Sequence, residues 1–93
     1  MVIGVLELRL AIFEAFSLKD KRRVVKSLKD RLGARHNVSV AEVEGLDQHR
    51  SATIGVAMVA NDAGFVESAL RKIVDEVRRD TRASLVDFDI ELI

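Results

Sequence analysis

The stretch SATIGVAMVANDAGFVESALRKIVDEV, residues 51–77, decides how this chain is read. Over Ser51 to Ala60, Ile54, Val56 and Met58 alternate with Thr53, Gly55 and Ala57, the two-residue period of a strand with one buried face. Asn61 and Asp62 are good helix N-caps, since their short side chains accept from the free N–H groups of a first turn. The period then changes. Phe65, Val66, Ala69, Leu70, Ile73, Val74 and Val77 trace one face of a helix. Arg78, Arg79 and Arg82 follow near its C-terminus, where the helix dipole favours cations.

Working outward, the same two periods recur. Val2 to Phe13 reads as a strand, with Leu6, Leu8 and Leu10 on one face and Glu7 and Arg9 on the other. Ser17 offers an N-cap, and Asp20 stands three residues on, like a short capping box. Leu18, Val25, Leu28 and Leu32 then mark a helix over about 18–32, which Gly33 is placed to end. Val38 to Glu44 is a second strand, Gly45 to His49 a polar turn. In the closing strand, Leu85 to Ile93, Val86, Phe88, Ile90 and Leu92 alternate with Asp87, Asp89 and Glu91. The order is βαββαβ over a single domain, 1–93. Its economical packing is an α+β, ferredoxin-like fold. Two helices cover one face of a four-stranded antiparallel sheet of order 4-1-3-2. The uncovered face then carries Ile3, Val5, Ala57 and Val59, more apolar surface than a monomer usually shows, so self-association through that face is expected.

Composition narrows the chemistry. The chain has 93 residues, 15 basic and 15 acidic, with no Cys, Pro, Trp or Tyr. Disulfides and thiolate chemistry are excluded, as are proline-rich linkers and interfaces anchored on Trp or Tyr. Glycine stands only at 4, 33, 45, 55 and 64, so no phosphate-cradling loop of the P-loop or dinucleotide type is present. No leader pattern and no apolar run of membrane-spanning length is visible, so a cytoplasmic protein with no membrane partner is expected.

The zero net charge hides a strong asymmetry. Lys19, Lys21, Arg22, Arg23, Lys26, Lys29, Arg31 and Arg35 fall between 19 and 35 with only Asp20 and Asp30 against them, a local +6 that the rest of the chain balances. At ~100° per residue, Lys19, Arg22, Arg23, Lys26 and Lys29 lie on one contiguous arc of the first helix. Their charges are read here as unrelieved by an acid one turn on. Such a basic stripe is the footprint expected for phosphate contact. A merely solvated helix face is the competing reading. Lys21 falls instead in the apolar phase. Its stem is expected to cover apolar surface with its amine in water, or else to clamp a phosphate or carboxylate.

Three other features carry less. Asp87, Asp89 and Glu91 share one side of a strand and could face a hard metal ion. They serve equally well to keep an edge strand from pairing with another chain. Glu42 and Glu44 have the same spacing and the same reading. His36 and His49 stand alone, without metal-ligand spacing or a catalytic constellation. No metal or cofactor is expected. The aromatic residues offer no pair on the open sheet face for base stacking of the kind RNA-recognition domains use.

The run Ser17 to Leu28 (SLKDKRRVVKSL), Asn37 to Val43 (NVSVAEV), Gly55-Val56-Ala57 and Asn61-Asp62 resembles, in order, the YlxP-like bacterial proteins. The resemblance implies a compact ferredoxin-like domain of unknown function, with no catalytic residues to carry over. It also implies a gene neighbourhood concerned with transcription, translation initiation and ribosome maturation. The leading expectation is therefore a small non-enzymatic binding protein. It would contact RNA or a ribosomal component through Lys19, Arg22, Arg23, Lys26 and Lys29, with Lys21 assisting. The second is a protein adaptor or homo-oligomer whose basic helix docks an acidic partner. A small-ligand sensor or enzyme comes third.

Overall fold

A computed structural model describes all 93 residues. The elements run β1 (Val2–Ala11), α1 (Leu18–Arg35), β2 (Ser39–Glu44), β3 (Ser51–Ala60), α2 (Ala63–Arg78) and β4 (Ser84–Leu92). The strands form one antiparallel sheet of order β2-β3-β1-β4, the expected order read from the other edge. The architecture is ferredoxin-like.

The two strand faces divide as the alternation requires. Leu6, Leu8 and Leu10 of β1 and Ile54, Val56 and Met58 of β3 point inward. They meet Val25, Leu28 and Leu32 of α1 and Val66, Leu70, Ile73, Val74 and Val77 of α2 in one core. Both helix starts are capped. Ser17 Oγ accepts from Asp20 N–H at 3.1 Å, and Asp62 accepts from Phe65 N–H at 2.8 Å. Asp20 in turn accepts from Phe16 N–H at 3.1 Å, one residue before the position a standard capping box uses.

Four expectations are corrected by this packing. First, β1 ends at Ala11, where its pairing with Ser51 and Ser84 runs out, although Ile12 keeps the inward phase and Phe13 the outward one. Second, Gly33 does not stop α1. The helix runs on to Arg35, since Gly33 takes no left-handed conformation and His36 closes the last turn through its N–H to Leu32 O at 3.0 Å. Gly33 is exposed, with nothing within 4 Å of the place a Cβ would occupy. Gly33→Ala is therefore expected to stabilise the fold by ~0.5–1 kcal/mol, read as a higher midpoint in urea with an unchanged slope.

Third, Val86 does not keep the inward phase of β4. The register shifts between Arg9 and Leu10, which pair with Asp87 and Leu85, and Val86 is left as an outward bulge. Fourth, Phe65 belongs by phase to the buried face of α2 yet stands exposed in the first turn. A second shift, between Glu42 and Glu44, leaves Val43 unpaired, its outward side chain over Gly55 on the open face.

Candidate nucleic-acid interface

The eight cations between 19 and 35 separate into three groups once α1 is seated. Lys21 is the first correction. It is fully buried, and its amine does not reach water. Its Nζ donates to Glu42 Oε2 at 2.7 Å and to the carbonyl oxygens of Gly45 (2.9 Å), Leu46 (3.3 Å) and Ser51 (3.3 Å). Lys21 thus clamps a carboxylate of its own chain and the ends of the β2–β3 turn. It is withdrawn from any phosphate contact. Glu42 is therefore not edge-strand surface like Glu44: it alternates with Ala41 and Val43 and faces inward with Val40. An acid and a base in the inward phases of neighbouring elements were the available sign of this pair.

Arg31 and Arg35 form the second group, on the side of α1 that meets the end of α2. Arg31 pairs with Asp80, and Arg35 and His36 both reach Glu76, His36 Nε2 at 2.9 Å from Oε1. Arg82 completes the seam by donating to Ser27 Oγ at 2.8 Å. The Asp80 side chain is only 4% exposed. Burial there opposes a negative charge, but the backbone N–H of Arg82, the Arg31 guanidinium and the N–H of Ala83 outweigh it. Together they hold this carboxyl below its ordinary value of 3.8. A carboxyl lowered in the folded state adds stability above its unfolded pKa and loses it as pH falls through the folded value. Asp80→Asn keeps the Oδ1 acceptor and loses the charge, so a cost of ~1.5 kcal/mol is expected at neutral pH. The gap between the melting temperatures of the two proteins should begin to narrow as pH falls below 3.8 and close only once the native carboxyl, held below that value, is itself protonated.

The third group is the arc itself. Lys19, Arg22, Arg23, Lys26 and Lys29 are all exposed. Lys26 pairs with Asp30 one turn on at 2.7 Å, so, contrary to expectation, one acid does relieve the arc, and this carboxylate raises the Lys26 pKa. Lys19, Arg22, Arg23 and Lys29 have no acidic partner within 4.0 Å. The arc spans ten residue steps, or ~15 Å of helix, about four steps of a nucleic-acid strand at ~3.4 Å each. On one flank, Arg22, Lys26 and Lys29 line a shallow groove between α1 and β2, closed by Asp30 and Glu42. On the other, Arg23 and Arg82 line a second hollow with Glu14 and Asp20.

The open sheet face is divided. Towards β2 it is apolar: Val5, Ala41, Val43 and Ala57 surround the dent left by Gly55, and Val59 is exposed nearby. Towards β4 it is charged. Arg9 donates to Glu7 (2.6 Å), Asp87 (2.7 Å) and Asp89 (2.8 Å), so two members of the carboxylate row already hold a cation of the same chain. The hydrogen bond from Arg9, then that from Phe88 N–H, keeps the Asp87 carboxyl below its ordinary range. Glu91 stands apart, opposite Val5. No helix is long and apolar enough to cross a membrane.

Comparison with known proteins adds a family. A family described as "Protein of unknown function (DUF503)" matches residues 3–90. "Uncharacterized protein YlxP" of Bacillus subtilis (strain 168) is 32% identical over 73 residues, covering 78% of this chain and 79% of that protein. With almost its whole length matched, the chain belongs to this YlxP-like DUF503 family.

Proposed function

We propose that the protein is a non-enzymatic, cytoplasmic RNA-binding protein acting within a ribosome- or translation-related assembly. Its contact surface is the exposed face of α1. The observation that carries this reading is the state of the arc: five cations on one helix face, four of them without a counter-ion. Like charges held together cost stability, and phosphates relieve that cost while releasing condensed counterions. Contacts of this kind give affinity and orientation rather than sequence choice.

Charge reversal tests the reading. Arg22→Glu combined with Lys26→Glu should abolish most binding to a structured RNA in a filter-retention assay, with duplex DNA as the control. The fold should survive, because both side chains are exposed and outside the core, and losing the surface Lys26–Asp30 pair to like-charge neighbours costs only some tenths of a kcal/mol, about 0.2–0.5 per pair. Unchanged affinity in the double variant would remove α1 from the account.

A second reading is favoured by the apolar corner of the sheet around Gly55. There a second copy of the chain would cover Val5, Val43, Ala57 and Val59, leaving α1 free on the opposite layer. Sedimentation equilibrium of wild type and Ala57→Glu should show a dimer that the charge dissolves. A wild-type monomer at all concentrations would reject it. An acidic protein docked on α1 is the remaining alternative, and a partner retained after nuclease treatment would favour it over RNA.

A further inference from the structure

In the loop from Ile12 to Ser17 every third residue turns inward and the two after it face out. Ile12 and Ala15 are buried, whereas Phe13 and Phe16 are 71% and 73% exposed. The chain has four phenylalanines and no other aromatic ring apart from its two histidines, so half of them stand in water on one short loop. Burying a ring of this size is worth ~1.5–3 kcal/mol, a gain that neither position takes.

The exposure is not that of a loose segment. Ile12 N–H donates to Arg50 O at 2.8 Å, Ala15 N–H to Ile12 O at 3.2 Å, and Phe16 N–H to the Asp20 carboxylate at 3.1 Å. Phe16 also occupies the site just before the N-cap, where an apolar residue ordinarily packs on the fourth helical position. Here that position is Lys21, which is turned inward onto Glu42. The packing role is thereby absent, and the ring is left facing outward. Arg50 reaches across from the β2–β3 turn, its guanidinium 5.4 Å from the Phe16 centroid. The loop leads directly into the turns of α1 that carry Lys19, Arg22 and Arg23.

Exposed rings held on a pinned loop beside unpaired cations are the two components of a single-strand site. Bases stack on the rings, and the backbone follows the charge. We infer that Phe13 and Phe16 stack unpaired bases of a single-stranded RNA segment whose phosphates continue along Lys19, Arg22 and Arg23. Arg50, placed over the Phe16 ring, adds a cation–π contact to that stack. This rests on the phosphate reading of α1 and adds to it a choice of single strand over duplex. It also puts stacking on a loop, where the sheet offers none.

The test uses fluorescence anisotropy with a labelled oligoadenylate and a blunt RNA duplex of equal length. Wild type should bind the single strand more tightly. Phe13→Ala with Phe16→Ala should weaken single-strand binding at least tenfold, given the strength of ring–base stacking, and leave duplex binding unchanged. Phe13→Tyr with Phe16→Tyr should restore it. Both sites are exposed, so an unchanged melting temperature is expected and serves as the folding check. If the alanine pair binds the single strand as wild type does while Arg22→Glu/Lys26→Glu loses it, stacking is overturned and the phosphate reading stands. If wild type prefers the duplex, stacking is likewise overturned. If wild type binds neither RNA, both readings fall.

Discussion

Lys21→Met is expected to destabilise the fold by about 3 kcal/mol, the low end of the ~3–5 kcal/mol that follows removal of one partner of a buried ion pair. The low end applies because the Glu42 side chain keeps a 14% exposed edge. Methionine fills much the same space but donates nothing. Glu42 and the carbonyls of Gly45, Leu46 and Ser51 would all lose their shared donor. For a domain this small, that loss corresponds to a melting temperature lower by roughly 12–24 °C, at ~4–8 °C per kcal/mol. Lys21→Met combined with Glu42→Leu should recover part of the loss, since no uncompensated charge then stays inside. Recovery should be incomplete, because the three turn carbonyls remain without the ammonium. If Lys21→Met melted within a degree or two of wild type, the turn would not depend on this clamp.

Gly4→Val should act in the same direction for a different reason. A Cβ at Gly4 would lie 2.3 Å from Val66 Cγ1 and 2.8 Å from Leu70 Cδ1. Leu70 can rotate, but Val66 is stiff at χ1 and fully buried, so α2 itself must move off β1. Overpacking of this kind costs ~1–3 kcal/mol, and valine adds two further methyls where alanine would already clash. The urea midpoint should fall accordingly. A variant as stable as wild type would show that α2 does not sit this close to the sheet. Gly33→Ala, on the exposed side of α1, is the opposite-signed companion to this substitution.

The parts of the fold that were legible in the residues are those set by period. Strand alternation at Ile54, Val56 and Met58, the helical face from Val66 to Val77, and the caps at Ser17 and Asp62 all have local causes. What escaped is decided by contacts between residues far apart in the chain. The Val86 bulge depends on how β4 meets β1. The exposure of Phe65 depends on where α2 begins to touch the sheet. The seam of Arg31, Arg35, His36 and Arg82 with Ser27, Glu76 and Asp80 depends on how α1 lies against the end of α2. The basic arc was visible from helical phase alone. Its subdivision was not, since only the packed structure shows which cations have an acid in reach. Lys21 illustrates both halves: its inward phase was plain, but its partner lay on another element.

Phosphate contact by the unpaired cations of α1 should show first in the salt dependence of RNA binding. Four or five phosphate contacts predict that log K falls against log salt with a slope of about −3 to −4.5. Arg22→Glu with Lys26→Glu should flatten that slope as well as weaken binding. A slope near zero, or no binding to structured RNA even at low salt, would rule out phosphate contact.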